Sequence, residues 1–119
     1  MKYKVLIVDD EENIRGLLKN LIDDFSEVFE ADTGKKGFSI FEKESPDLIL
    51  LDIMLPDTSG VELLQQIRNK DRKVKIVMIT AYETIKSVID IMDIKISGYI
   101  TKPFVIKEVR EKLQSILEN

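Results

Sequence analysis

Residues 47–52 read Asp-Leu-Ile-Leu-Leu-Asp, and this stretch decides the fold. Aliphatic side chains in unbroken succession leave no polar face, so a strand made of them is buried on both sides, as in a parallel sheet covered by helices. Pro46 closes off what precedes the run, and the run delivers an acid, Asp52, to its C-terminal end. The same figure recurs at residues 4–8, Lys-Val-Leu-Ile-Val, which run into Asp9-Asp10-Glu11-Glu12, and at residues 75–79, Lys-Ile-Val-Met-Ile, which run into Thr80.

Between these strands the apolar pattern turns helical. Ile14, Leu17, Leu18, Leu21 and Phe25 recur at three- and four-residue spacing behind an acidic opening turn, where the helix dipole favours carboxylates. Residues 27–31 read as a second strand by position and β-branched content, although they include two glutamates. Thr33 caps a helix whose apolar members are Phe38, Ile40 and Phe41. Leu55-Pro56-Asp57-Thr58-Ser59-Gly60 is loop chemistry, followed by a helix with Val61, Leu64 and Ile67 on its inner face. A β-branched helix over 84–94, a strand over 98–101 and a closing helix over 105–117 complete the series. Five strands alternating with amphipathic helices predict a doubly wound α/β domain with a five-stranded parallel sheet. In such sheets ligands bind beyond the carboxyl ends of the strands.

The 119 residues suffice for one core, and a single domain over 1–119 is expected. The chain is 44% apolar and 34% charged, the balance of a globular protein. It has no cysteine and no histidine, which removes disulfides, thiolate metal sites and the commonest zinc ligand and general base. The longest apolar runs are too short to span a bilayer and no signal-peptide core opens the chain, so a cytoplasmic protein without membrane insertion is expected. A net charge of -4 repels nucleic acid, which disfavours DNA binding by this chain alone.

The ends of strands one, three, four and five carry Asp9-Asp10, Asp52, Thr80 and Lys102, and the fold brings them to one edge. Three crowded carboxylates stay ionised only beside a cation. Magnesium, which takes one or two carboxylates and keeps several waters, suits a sparse oxygen site made by Asp10, Asp52 and a backbone carbonyl. Asp52 is then a competent nucleophile toward a phosphoryl group neutralised by the metal. Lys102 offers a point charge to a phosphoryl oxygen, Thr80 offers a hydroxyl, and a cis Lys102-Pro103 bond is compatible with the sequence. Each residue alone has a plainer reading. Asp9-Asp10 would serve as helix-capping acids, Thr80 as a strand residue, Tyr99 as a half-buried aromatic and Lys102 as a surface lysine. Only the constellation promotes them.

The whole chain resembles the receiver domains of two-component response regulators, the CheY-like family. The resemblance is carried by Val8-Asp9-Asp10-Glu11, Leu50-Leu51-Asp52-Ile53-Met54-Leu55-Pro56, Ile79-Thr80-Ala81 and Tyr99-Ile100-Thr101-Lys102-Pro103-Phe104. It implies a flavodoxin-like (βα)5 fold with strand order 2-1-3-4-5. It implies Mg2+ held by Asp9, Asp10, Asp52 and the Met54 backbone carbonyl, with Asp10 a direct ligand and Asp9 acting through water. Asp52 would take phosphate from a histidine kinase, a phosphotransfer protein or a small phosphodonor, Thr80 and Lys102 would contact the phosphoryl group, and Tyr99 would report activation.

A binding switch rather than an enzyme is therefore expected. Two other classes stand beside it: an aspartyl-phosphate-forming phosphatase or phosphotransferase of the haloacid-dehalogenase kind, and an interaction domain that never takes phosphate. The first usually has a second acid two residues after its nucleophile, where this chain has Met54. The chain is expected to be either a stand-alone receiver or the receiver of a longer regulator with an output domain.

Two departures from the family pattern stand out. Many receivers place Gly-Ala near the end of the fourth helix, where this chain has Lys95-Ile96, so a helix held by packing with an irregular or mobile end is expected. On a helical wheel Ile91 and Ile94 fall outside the apolar face, so both are expected to be exposed, either as scattered surface residues or as a partner or phosphorylation-promoted dimer site near Tyr99. Met54 and Tyr82 also occupy positions that, in the family, adjust access of hydrolytic water, and their bulk predicts a persistent aspartyl phosphate. The double substitution Met54→Asn with Tyr82→Glu is expected to shorten the phosphate's half-life in a decay assay, and an unchanged half-life would count against the shielding.

Overall fold

A computed structural model of the chain describes residues 2–81 and 94–119. Strands β1 (Tyr3–Val8), β2 (Ser26–Ala31), β3 (Leu48–Asp52), β4 (Lys75–Thr80) and β5 (Gly98–Thr101) alternate with helices α1 (Glu12–Ile22), α2 (Gly34–Glu44) and α3 (Gly60–Lys70), and α4 (Ile106–Glu118) closes the chain. All strand pairs are parallel and the sheet order is β2-β1-β3-β4-β5. This is the expected doubly wound α/β fold with the expected order.

Register explains why the central strands have no polar face. Val5 pairs with Leu48 and Leu6 with Ile49, while Ile49 pairs with Ile76 and Leu50 with Val77. Successive side chains leave opposite faces of the sheet. Leu6, Val8, Ile49, Leu51, Ile76 and Met78 therefore join one cluster with Phe41 of α2 and Val61, Leu64 and Ile67 of α3. Val5, Ile7, Leu48, Leu50, Val77 and Ile79 join the other, with Leu18 and Ile22 of α1 and Val109, Leu113 and Leu117 of α4. Among the described residues no helix is long and apolar enough to cross a membrane.

The helix ends follow local chemistry. Thr33 Oγ1 accepts the Lys36 amide at 3.1 Å, the predicted cap of α2, and Ser59 Oγ accepts the Val61 amide at 3.1 Å at the start of α3. The first helix is shorter than the apolar spacing predicts: it stops at Ile22, and Phe25 lies beyond it while still packing into the α1 and α4 cluster.

The predicted helix over 84–94 lies almost wholly outside the described residues, together with Tyr82 and Ile91. Residues 94–97, which lead into β5, are irregular, and the expected end of the helix lies outside the described residues. Arg68 of α3 reaches this stretch, donating from Nε to the Lys95 carbonyl at 3.0 Å and from Nη1 to the Val74 carbonyl at 2.6 Å. Ile94 corrects its expectation: it is half-buried and packs with Ile96 against the α2 and α3 cluster, because the irregular chain here does not follow the helical wheel that pointed it outward.

Leu50 is 1% exposed at the centre of β3. Leu50→Ala is expected to destabilise the domain by about 2–5 kcal/mol, the range for such truncations in a packed core. Urea unfolding checks this, and a loss well under that range would mean that the core collapses around the gap.

Candidate functional site

Strand ends build the acid cluster. Asp9 follows the last residue of β1, and β3, its neighbour in the sheet, ends on Asp52. Asp9 and Asp52 are 1% and 4% exposed, whereas Asp10 faces solvent. One carboxylate oxygen from each of the three lies within 4.8 Å of the others. Backbone amides orient the two buried acids: Glu11 N–H donates to Asp9 Oδ1 at 2.9 Å, and Met54 N–H donates to Asp52 Oδ1 at 3.1 Å.

Lys102 arrives from the other side of the sheet. It follows β5, and its amide donates to the Thr80 carbonyl at 3.0 Å, one step past the paired strand ends. The Lys102-Pro103 bond is cis, as the sequence allowed. Lys102 Nζ lies 3.0 Å from Asp52 Oδ2, 3.1 Å from Asp9 Oδ2 and 3.0 Å from Glu11 Oε2. Burial pulls down the pKa of this ammonium, but its hydrogen bonds to Asp52, Glu11 and Asp9 outweigh that effect and hold it above the ordinary lysine value. Burial likewise pushes the Asp9 carboxyl up, with the Glu11 amide and Lys102 offsetting part of the rise and the Asp52 charge adding to it.

Among the described residues Asp9, Glu11 and Asp52 thus share the one ammonium of Lys102, with the Asp10 carboxylate close by, so carboxylates outnumber ammonium groups at this edge. The donor set is oxygen only, with two acids held by backbone amides and a third open to water. That chemistry suits a hard divalent cation which retains waters, Mg2+ above all.

Thr80, 4% exposed, lies one residue beyond Ile79, the register partner of Asp52. Tyr99 is 39% exposed on β5, and Lys112 Nζ sits 5.5 Å from its ring centroid while donating to the Tyr99 carbonyl at 2.9 Å. Asp9, Asp10, Asp52 and Lys102 therefore meet directly, Thr80 stands beside them, and Tyr99 lies further along the edge strand. The Met54 amide points at Asp52, and Met54 itself is 68% exposed.

Three contributors escaped the sequence reading. Glu11 precedes α1 as its cap residue yet makes no side-chain cap, and its carboxylate accepts from Lys102 instead. Arg15 donates from Nη1 to the Asp9 carbonyl at 2.7 Å and pairs through Nε with Glu30 at 3.2 Å. Gly60 presses on the end of β3, where a Cβ would fall 2.1 Å from the Asp52 carbonyl oxygen. Only Gly60 left a signal, as the glycine that closes the loop after Asp52.

A family model described as the response regulator receiver domain matches residues 5–114. Sporulation initiation phosphotransferase F of Bacillus subtilis is 32% identical over 118 residues, which cover 98% of this chain and 95% of the relative. The probable transcriptional regulator ycf27 of Porphyra purpurea is 37% identical over 117 residues, 98% of this chain but 48% of the relative. The chain spans about half the length of the ycf27 relatives it matches. The crystal structure of a CheY-like response regulator receiver domain protein from Methanospirillum hungatei superposes with a TM-score of 0.90 at 30% identity, covering 99% of this chain and 95% of that one. Given this match and the convergence of acids and lysine on one sheet edge, the chain belongs to the response regulator receiver domains of two-component systems.

Proposed function

We propose that this receiver works as a phosphorylation-controlled switch in which Asp52 accepts the phosphoryl group, with Mg2+ as cofactor. The observation that carries this reading is the placement of Asp52 Oδ2 3.0 Å from Lys102 Nζ within the Asp9, Asp10 and Asp52 cluster. A nucleophile, a counter-charge and a cation site then share one edge. Held by Asp10, Asp52 and the Met54 backbone carbonyl, with Asp9 acting through water, the metal would neutralise charge on the incoming phosphoryl group.

The chain's own groups do the rest. The Met54 amide fixes one oxygen of the Asp52 carboxylate and Lys102 holds the other. A carboxylate oxygen forms the new bond to phosphorus as the bond from phosphorus to the donor breaks, and the donor group leaves with that electron pair. Lys102 then exchanges its carboxylate contact for a phosphoryl oxygen, and the Thr80 hydroxyl donates to another. Movement at Thr80 passes to Tyr99 on the neighbouring strand, shifting a pre-existing equilibrium by as much as the phosphoryl group distinguishes the two states.

The donor would be a histidine kinase, a phosphotransfer protein or a small phosphodonor. The recipient would be a target or output domain that docks on the face expected from the 84–94 helix, β5 and α4 around Tyr99 and Ile94; Ile91, assigned to that face from the sequence, lies outside the described residues. The burial of Ile94 narrows that face toward Tyr99. Similarity along nearly the full length of sporulation initiation phosphotransferase F favours a second reading of the same chemistry, onward relay of the phosphate.

Incubation with acetyl phosphate and Mg2+ is expected to add one phosphoryl group by intact mass, removable by base. Asp52→Asn or chelation of the metal should abolish the gain, and a wild-type protein that stays unmodified would sink the assignment. The buried, crowded Asp9 makes a second expectation. Asp9→Asn removes like charge from a desolvated site, so the metal-free protein should unfold at higher urea near neutral pH while Mg2+ affinity by calorimetry falls at least tenfold, a typical loss when a group supporting a metal is removed. Lower stability in the variant would show that the Lys102 ion pair outweighs the crowding.

A further inference from the structure

The loop that follows Asp52, residues 53–59, is anchored at a point remote from the acids. Asp57 Oδ1 accepts the Gly34 amide at 2.8 Å and Asp57 Oδ2 accepts the Lys35 amide at 2.9 Å. These are the first two residues of α2, and the next amide, Lys36, goes to Thr33 Oγ1 at 3.1 Å. Asp57 and Thr33 therefore divide between them the donors that a helix start leaves unpaired. Bonds from an ionised carboxylate to backbone amides belong to the stronger class, and these two hold the Asp57 carboxyl below its ordinary range.

The contact is also close. A Cβ on Gly34 would fall 2.3 Å from the Thr58 methyl, so any larger residue there would force Thr58 or the loop to shift. At its two ends the loop is closed on itself: Met54 bridges to Ser59, and the Gly60 amide donates to the Ile53 carbonyl at 2.7 Å. On the inner side of this closed loop the Met54 amide reaches Asp52 Oδ1 at 3.1 Å. A continuous path of bonds thus runs from the N-terminus of α2, through Asp57 and the closed loop, to the acceptor carboxylate.

We propose that Asp57 is a positioning residue for phosphoryl transfer, strapping the 53–59 loop to the start of α2 so that the Met54 amide stays on the Asp52 carboxylate. Asp57 acts through Met54 and touches neither the acids nor Lys102. The proposal rests on Asp52 being the acceptor. An ordinary helix cap would give the same hydrogen bonds, and Thr33 supplies the control because its side chain caps the same helix from within the chain, through the Lys36 amide.

The experiment follows phosphorylation by acetyl phosphate and Mg2+, read by intact mass, in the wild-type chain and in Asp57→Ala, Asp57→Asn and Thr33→Ala. Urea unfolding and the Met54 amide resonance in a proton–nitrogen correlation spectrum are recorded for each. Asp57→Ala should lower the maximal rate roughly tenfold, a modest share of what small misplacement at a reacting centre costs, with the half-saturating acetyl phosphate concentration unchanged. Asp57→Asn, which keeps one acceptor oxygen, should fall between. Thr33→Ala should unfold at lower urea yet phosphorylate at the wild-type rate, and the Met54 resonance should move only in the Asp57 variants. A wild-type rate and an unmoved Met54 resonance in Asp57→Ala overturn the proposal, as does an equal slowing in Thr33→Ala. Should Asp57→Ala fail to fold, Asp57→Asn against Thr33→Ala decides by the same criteria. A wild-type chain that takes no phosphate fails the acceptor assignment instead, and the Met54 resonance then decides alone whether the strap holds the loop.

Discussion

One ammonium, that of Lys102, is shared by Asp9, Glu11 and Asp52, and the carboxyl edge of the sheet is organised around it. The sharing depends on strand order. β3 lies between β1 and β4, so the acids of β1 and β3 are neighbours, and β5 brings the lysine in from beyond β4, where the Thr80 carbonyl holds its backbone. Buried carboxylates that outnumber their cations oppose folding. The apolar layers on both faces of the sheet offset this cost, and the carboxylates that outnumber the ammonium among the described residues are what a divalent cation would neutralise before an anionic phosphoryl donor could approach.

Rigidity follows from the same arrangement. A slip of one residue between β1 and β3 would swap which side chains enter the two helix-covered layers and move Asp9 out of line with Asp52, so packing on both faces holds the pairing of Val8 with Leu51. The separation of the acids is therefore a property of the core. Loops refine it: Gly60 lets α3 start against the Asp52 carbonyl, and Arg15 holds the Asp9 carbonyl from α1.

The unbroken apolar runs at residues 5–8, 48–51 and 76–79 made the parallel sheet legible, because burial on both faces leaves no other pattern. The acids, Thr80 and Lys102 were legible as strand-end residues for the same reason. Glu11 was not, since an acid at a helix start has an ordinary capping explanation and nothing local reveals that its carboxylate meets a lysine 91 positions away. Arg15 and Arg68 escaped because they bond to backbone carbonyls, which carry no sequence signature. Ile94 was misread because a helical wheel assumes a helix, and the chain there is irregular. Met54 was read for its backbone carbonyl and for the bulk of its side chain, and in the structure its amide reaches the acceptor.

The glutamates that weakened the sequence case for β2 have a place in the finished sheet. β2 is an edge strand, bonded to β1 alone, and Glu27 and Glu30 both face solvent. An open strand edge is a template on which another chain can add, and charged side chains discourage such pairing. The residues that made this strand hard to recognise therefore favour its solubility, since a second molecule approaching in β-register would have to bury their charges against its own. The same segment rewritten with valines at both positions would look more like a strand and would be more prone to aggregate.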